Sequence, residues 1–186
     1  GFLSIARQSQ SQGEEYQRSF SWKDFRRIRE KYDIPLILKG IATAEDAMIA
    51  VSEGCDVIYV SNHGGRQLDH GRGGIDVLPE IVAEVDGKAK IILDGGVMRG
   101  ADVVKAMIRG TDAVGIGRLQ GLAYAAAGEA GVVRMLELLE LEVQTCMGLL
   151  GVTSYDQLDA NYLIRESDAV NEAHPLSAFP LLDLGY

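Results

Sequence analysis

The sequence predicts an α/β fold with a parallel sheet, and three observations predict it. The first is alternation. Short apolar runs ("PLILKG", "DVIYVSN", "KIILDGG", "DAVGIGR") alternate with helical patterns ("TAEDAMIAVSEG", "IDVLPEIVAEV", "GADVVKAMIRG"), the signature of parallel strands buried on both faces by crossover helices. The second is a repeat. A shift of 56 positions lays Gly40 on Gly96, Asp46 on Asp102, Ala50 on Ala106, Gly54 on Gly110 and Asp56 on Asp112. A pattern recurring every two β/α units suits a closed barrel better than an open doubly wound sheet, whose helices must switch faces. The third is arithmetic. A (β/α)8 barrel takes ~250 residues, yet only four strands can be counted between Pro35 and Ile116. Four parallel strands cannot close. The expectation is therefore the C-terminal half of a (β/α)8 TIM barrel, four β/α units plus C-terminal helices, with the N-terminal barrel half supplied by a separate chain or a further piece.

The elements follow in order. Residues 1–18 are polar, rich in Gln and Ser and without periodicity, and read as a flexible lead-in. "SFSWKDFRRIREKY" offers a serine cap and Trp22, Phe25 and Ile28 at three-residue spacing, an amphipathic helix. The four β/α units come next. "GEAGVVRMLELLELEVQTCMGLLG" supplies the last long helix, "TSYDQL" a short capped one, and "HPLSAFPLLDLGY" an extended tail. The domain reading is residues 1–18 lead-in, 19–158 half barrel and 159–186 tail.

Composition narrows the function classes. The 186 residues are 47% hydrophobic, enough for one real core, with a net charge of −9 and a pI near 4.8. No basic patch offsets that charge, which argues against nucleic acid or a membrane surface as partner. No apolar run reaches the ~20 residues that span a bilayer, and a cytoplasmic location is the default expectation. Cys55 and Cys146 lack metal-ligand spacing and read as reduced thiols, and no metal site is expected.

Chemistry collects at the strand ends, where barrels place their sites. Those ends read Lys39-Gly40, Ser61-Asn62-His63, Asp94-Gly95-Gly96 and Gly117-Arg118. Gly95-Gly96 and Gly117-Arg118 have the composition of a phosphate cradle, since glycines let backbone N–H groups approach an anion and an arginine fork binds its oxygens. Tight turns are the alternative use of such glycines. Lys39 ends an apolar strand, so it either reaches out to solvent or faces an anionic ligand. His63 and Arg66 are separated only by Gly64-Gly65 and can be aimed at one small ligand. Imidazole suits proton transfer near neutral pH, and guanidinium binds a carboxylate in bidentate fashion. His70 reads as a loop residue and His174 as a tail residue.

Four stretches, "LILKGIATAEDA", "IYVSNHGGRQLD", "ILDGGVMRGADVVKA" and "GIGR", carry a family resemblance in their order and spacing. They resemble the C-terminal half of the FMN-dependent 2-hydroxy acid oxidases and dehydrogenases, which include glycolate and lactate oxidases, mandelate dehydrogenases and lactate-oxidising flavocytochromes. The similarity runs from about Ser19 to Leu158. It implies FMN as cofactor and a small 2-hydroxy acid as substrate, oxidised to the 2-oxo acid. It implies that Lys39 lies against the flavin's N1 and C2 carbonyl edge and that Ser61 also contacts FMN. By the same resemblance His63 is the base, Arg66 the substrate-carboxylate clamp and Asp94 the ribityl contact, while Gly95, Gly96, Gly117 and Arg118 belong to the cofactor cradle. Homo-oligomers are usual in the family. Two positions depart from its pattern: Met98-Arg99-Gly100 stands where Arg-Arg-Gly is common, and Leu119 where proline tends to follow Gly-Arg. Two other readings remain alongside: a non-catalytic half barrel that binds a phosphate-bearing ligand, and a different phosphate-binding barrel enzyme. The latter is disfavoured because no strand-end loop carries a nucleophilic cysteine.

Overall fold

A computed structural model describes residues 19–66 and 71–164. The lead-in over residues 1–18, His70, His174 and most of the tail lie outside the described residues. Helix α1 (Trp22–Lys31) leads into β1 (Ile37–Ile41), α2 (Ala44–Ser52), β2 (Val57–Val60), α3 (Gly74–Val85), β3 (Lys90–Asp94), α4 (Gly100–Ile108), β4 (Ala113–Gly115) and α5 (Arg118–Leu150). The strands form one parallel sheet in the order β1-β2-β3-β4. Sequential parallel strands joined by helices are a run of β/α units, the architecture of part of a (β/α)8 barrel.

Each element starts for a local reason. The Asp24 carboxylate accepts from the amide and the hydroxyl of Ser21 at 3.0 and 2.8 Å, fixing the start of α1. Phe25 is buried, and Trp22 meets it edge-on with ring centroids 6.3 Å apart. Thr43 caps α2 by accepting from the Asp46 amide at 3.2 Å.

Helices cover one face of the sheet and leave the other open, as four strands that cannot close require. Ile58, Val60, Ile91 and Leu93 are buried, packed in one core with Ala47, Ala50, Leu78, Ile81 and Ala106 from the helices. The alternate residues Val57, Tyr59, Ile92 and Asp94 are only half-buried, and Ile37 and Lys39 are exposed. Period-two alternation sends these to the opposite face. Four strands do not curve far enough to close, so among the described residues no other part of the sheet lies across that inner face.

The 56-residue repeat has a physical content. Asp56 and Asp112 begin corresponding strands at the N-terminal end of the sheet. The Asp56 carboxylate accepts from the Leu36 amide at 2.7 Å and pairs with Arg29, while its own amide donates to the Leu36 carbonyl. The Asp112 carboxylate accepts from the Ile91 amide at 2.8 Å and from Lys90 Nζ at 2.7 Å, and its amide donates to the Ile91 carbonyl. Each aspartate therefore clasps the start of the preceding strand. The Leu36 amide and Arg29 hold the Asp56 carboxyl below its ordinary range. At Asp112 burial pushes the other way but is outweighed by Lys90 and the Ile91 amide, so its carboxyl is also held low.

Arg118–Leu150 holds two helical stretches: "RLQGLAYAAA", rich in alanine and other strong helix formers, precedes the helix predicted from Gly128. The chain breaks at Ala127-Gly128, where Gly128 takes φ +56°, and continues to Leu150. The predicted short helix at "TSYDQL" is a 3₁₀ turn, Tyr155–Gln157. Cys55 is buried, and that burial pushes its thiol above the ordinary range; Cys146 is half-buried, and neither forms a disulfide.

Candidate flavin site at the strand ends

The C-terminal ends of β2, β3 and β4 open into a cavity of about 550 Å³. His63 and Arg66 line it from the turn after β2, Asp94, Gly95, Gly96 and Met98 from the turn after β3, and Gly117, Arg118 and Leu119 from the start of α5. Seven of the nine sequence-predicted site residues thus meet in one space. Lys39 and Ser61 adjoin it through Asp94.

The turn after β2 explains its own sequence. His63 takes φ +54°, rare for a residue with a side chain, and Gly64 and Gly65 follow at +67° and +69°. Two side-chain oxygens hold this unusual run. The His63 amide donates to Ser61 Oγ at 3.1 Å, and the Gly65 amide to Asn62 Oδ1 at 3.2 Å. The result lifts the imidazole clear of the sheet into solvent. The Arg118 guanidinium rests against this turn: a Cβ on Gly64 would meet Arg118 Nη2 at 3.5 Å, an ordinary contact.

Beneath the cavity floor lies a polar cluster. Lys39 Nζ donates to Ser61 Oγ at 2.8 Å and pairs with Asp94 Oδ2 at 2.9 Å. Ser61 is buried and accepts from both Lys39 and the His63 amide. Lys39 therefore neither reaches freely into solvent nor stands alone at a strand end; it closes on Asp94. The second oxygen, Asp94 Oδ1, is buried without a hydrogen-bond partner among the described residues. Buried carboxylate oxygens are rarely left so.

One feature escapes the sequence reading. Tyr59 belongs to the cluster, its ring centroid 4.9 Å from Lys39 Nζ. Its position two residues before Ser61 on the same strand face was the available signal. Arg99 does not line the cavity. Its Nε pairs with Glu142 Oε1 at 2.8 Å, and Glu142 Oε2 accepts the Gly100 amide at 2.7 Å, binding α4 to α5. Arg99 thus does not stand in for the cation absent at Met98, and Met98 itself is a cavity wall.

Comparison with known proteins sets this geometry in a family. A model of the FMN-dependent dehydrogenases matches residues 3–165. The chain belongs to the FMN-dependent dehydrogenase family. It is 44% identical over 156 residues to a peroxisomal (S)-2-hydroxyacid oxidase of Arabidopsis thaliana, covering 84% of this chain and 43% of that protein. It is 43% identical over 145 residues to an L-lactate oxidase of a Nostoc species, covering 78% and 40%. It is 46% identical over 157 residues to an L-lactate dehydrogenase of Pseudomonas aeruginosa, covering 84% and 41%. Among solved structures, a mandelate oxidase variant with a monooxide FMN adduct superposes with a TM-score of 0.72 at 47% identity, over 74% of this chain and 44% of that one. The chain therefore spans about two fifths of the length of these relatives.

The described residues fit the family's cofactor. FMN carries a ribityl chain of hydroxyl donors and a terminal phosphate. Asp94 Oδ1 is an acceptor without a hydrogen-bond partner among the described residues, and the start of α5, with no side-chain cap at Gly117, stands beside Arg118, the environment a phosphate favours.

Proposed function

We propose that this chain carries the proton-transfer and cofactor-cradling side of an FMN-dependent oxidoreductase that converts a small 2-hydroxy acid to its 2-oxo acid. The observation that carries the reading is the single cavity bringing His63 and Arg66, from one strand end, against Asp94, Gly95, Gly96, Gly117 and Arg118 from the next two. Lys39, Ser61 and Asp94 would hold the flavin and its ribityl chain, with Gly96, Gly117 and Arg118 at the phosphate. Bound FMN supplies a two-electron acceptor, chemistry no side chain offers. Arg66 would bind the substrate carboxylate as a charge-assisted pair and fix its orientation. His63, exposed on its strained turn, would take up the proton that leaves the CH–OH group. The strand-end turn keeps base and clamp three residues apart, which suits an acid whose carboxylate and hydroxyl sit on adjacent carbons.

The uncovered inner sheet face and the span of about two fifths support a second part of the reading: the other strands of the barrel come from residues outside this sequence. The test is a visible spectrum of the purified protein, taken before and after anaerobic addition of lactate, glycolate and mandelate in turn. Flavin bands that bleach with one of these acids support the reading. Flavin bands that persist with every 2-hydroxy acid favour binding of a phosphate-bearing ligand without this chemistry, and a protein that takes up no FMN contradicts it.

A further inference from the structure

We infer that Tyr59 is a positioning residue of this site, seated by the bare backbone of Gly115, and that its ring sets where the Lys39 ammonium stands. The inference rests on the flavin reading above for its functional consequence, not for its geometry.

Tyr59 lies on β2 level with Lys39 on β1 and Ile92 on β3, and Ile92 is level with Ala113 on β4. Gly115 stands two residues further along β4, paired with Asp94. The Tyr59 side chain leans across β3 toward that next layer. A Cβ on Gly115 would come within 1.9 Å of the Tyr59 hydroxyl oxygen and 3.1 Å of the Asp94 Cβ. No side chain fits at 115 while the phenol is there. With β3 between them, β2 and β4 are two strand spacings of ~4.8 Å apart, so only a long side chain such as tyrosine reaches from one toward the other.

The ring reaches the two charged groups of the cluster. Lys39 Nζ lies over it at 4.9 Å, within cation–π range. Its hydroxyl faces the Asp94 carboxylate; burial first, and then that carboxylate, push the phenol above its ordinary range. The phenol therefore stays protonated at physiological pH. Lys39 is held by three neighbours from three directions: Ser61, Asp94 and the ring. A long, flexible ammonium side chain has considerable rotamer entropy to lose, and the ring removes part of that freedom before any ligand arrives. A tyrosine that merely filled the open inner face would have no need of the charged pair.

The test uses four variants of the FMN-loaded protein: Tyr59→Phe, Tyr59→Val, Gly115→Ala and the double variant Tyr59→Val with Gly115→Ala. Melting temperature reads the seating. Gly115→Ala lowers it, and adding Tyr59→Val recovers most of the loss; an equal loss with either residue at 59 overturns the seating. FMN titration reads the positioning. Tyr59→Phe keeps the ring and binds FMN near the wild-type level, whereas Tyr59→Val and the double variant bind about two- to fivefold more weakly, the worth of one partly exposed cation–π contact. A double variant that recovers both melting temperature and FMN affinity reduces Tyr59 to packing and sinks the claim. Lys39 acetylation rate in the flavin-free protein, followed by mass spectrometry, separates this failure from that of the flavin reading. It rises in Tyr59→Val and not in Tyr59→Phe if the ring holds the ammonium, and an unchanged rate overturns the inference whether or not FMN binds.

Discussion

The two ends of the same four strands are built on opposite principles. At the N-terminal end, Asp56 and Asp112 each satisfy a backbone amide and a cation, and both carboxyls are held below their ordinary range. At the C-terminal end, one oxygen of Asp94 is buried without a partner, His63 sits in a rare backbone conformation and its imidazole is exposed. The polar groups at one end are spent on the fold, and those at the other are left for something else. The 56-residue repeat sharpens the contrast, because it preserves the aspartate clasps while the strand-end residues diverge from Ser61-Asn62-His63 to Gly117-Arg118. Stability and chemistry are separable along a β/α unit, as the barrel architecture allows.

The contrast breaks most visibly at His63. Replacing it with alanine is expected to lower kcat by about 10²- to 10⁴-fold, the usual worth of a general base, and to leave stability within about 0.5 kcal/mol, since the side chain is exposed. Steady-state kinetics beside a thermal melt checks both halves; a large stability loss would place His63 with the structural end. Next in size is Arg118→Ala. Losing one charge-assisted contact of about 1.5–3 kcal/mol weakens FMN binding by roughly ten- to a hundredfold, measured by flavin fluorescence titration.

The structural end predicts the reverse pattern. Asp112→Ala removes the clasp on Ile91 and is expected to cost about 1 kcal/mol of stability, one net hydrogen bond at a partly exposed site, with FMN affinity unchanged. The pH dependence has a definite sign. A carboxyl whose folded pKa is depressed contributes stability that is fully present above the unfolded value of ~3.9 and is lost as pH falls below it. Wild-type melting temperature should therefore fall as pH drops below about 4, and Asp112→Ala should fall less over the same range, as calorimetry across pH would show. The smallest effect is a gain: Met98→Arg puts a cation on the cavity wall that Arg99, paired with Glu142, does not supply. FMN binding should tighten by about tenfold or less, and more at low salt.

Much of this was legible in the sequence. The strand ends stand out because apolar runs terminate abruptly in Lys39, Ser61, Asp94 and Gly117, and the helix periodicity locates every crossover. Tyr59 was passed over because it reads as a β-former inside an apolar run; its partners Lys39 and Gly115 are set by register across four strands, which local patterns do not encode. Arg99 was left open for the same reason, since Glu142 lies 43 residues away. The helical stretch before Gly128 is absent from the sequence reading because Gly117-Arg118 reads as a strand end, although the alanine-rich run after it marks a helix.

The central claim is that ligand chemistry lives at one end of the strands and fold stability at the other. The most direct measurement is amide hydrogen exchange of the protein with and without FMN. The account predicts protection at Gly95, Gly96 and the first turn of α5, with no change at the amides of Leu36 and Ile91. Protection confined to the Leu36 and Ile91 end, or none at either end with FMN demonstrably bound, would contradict it.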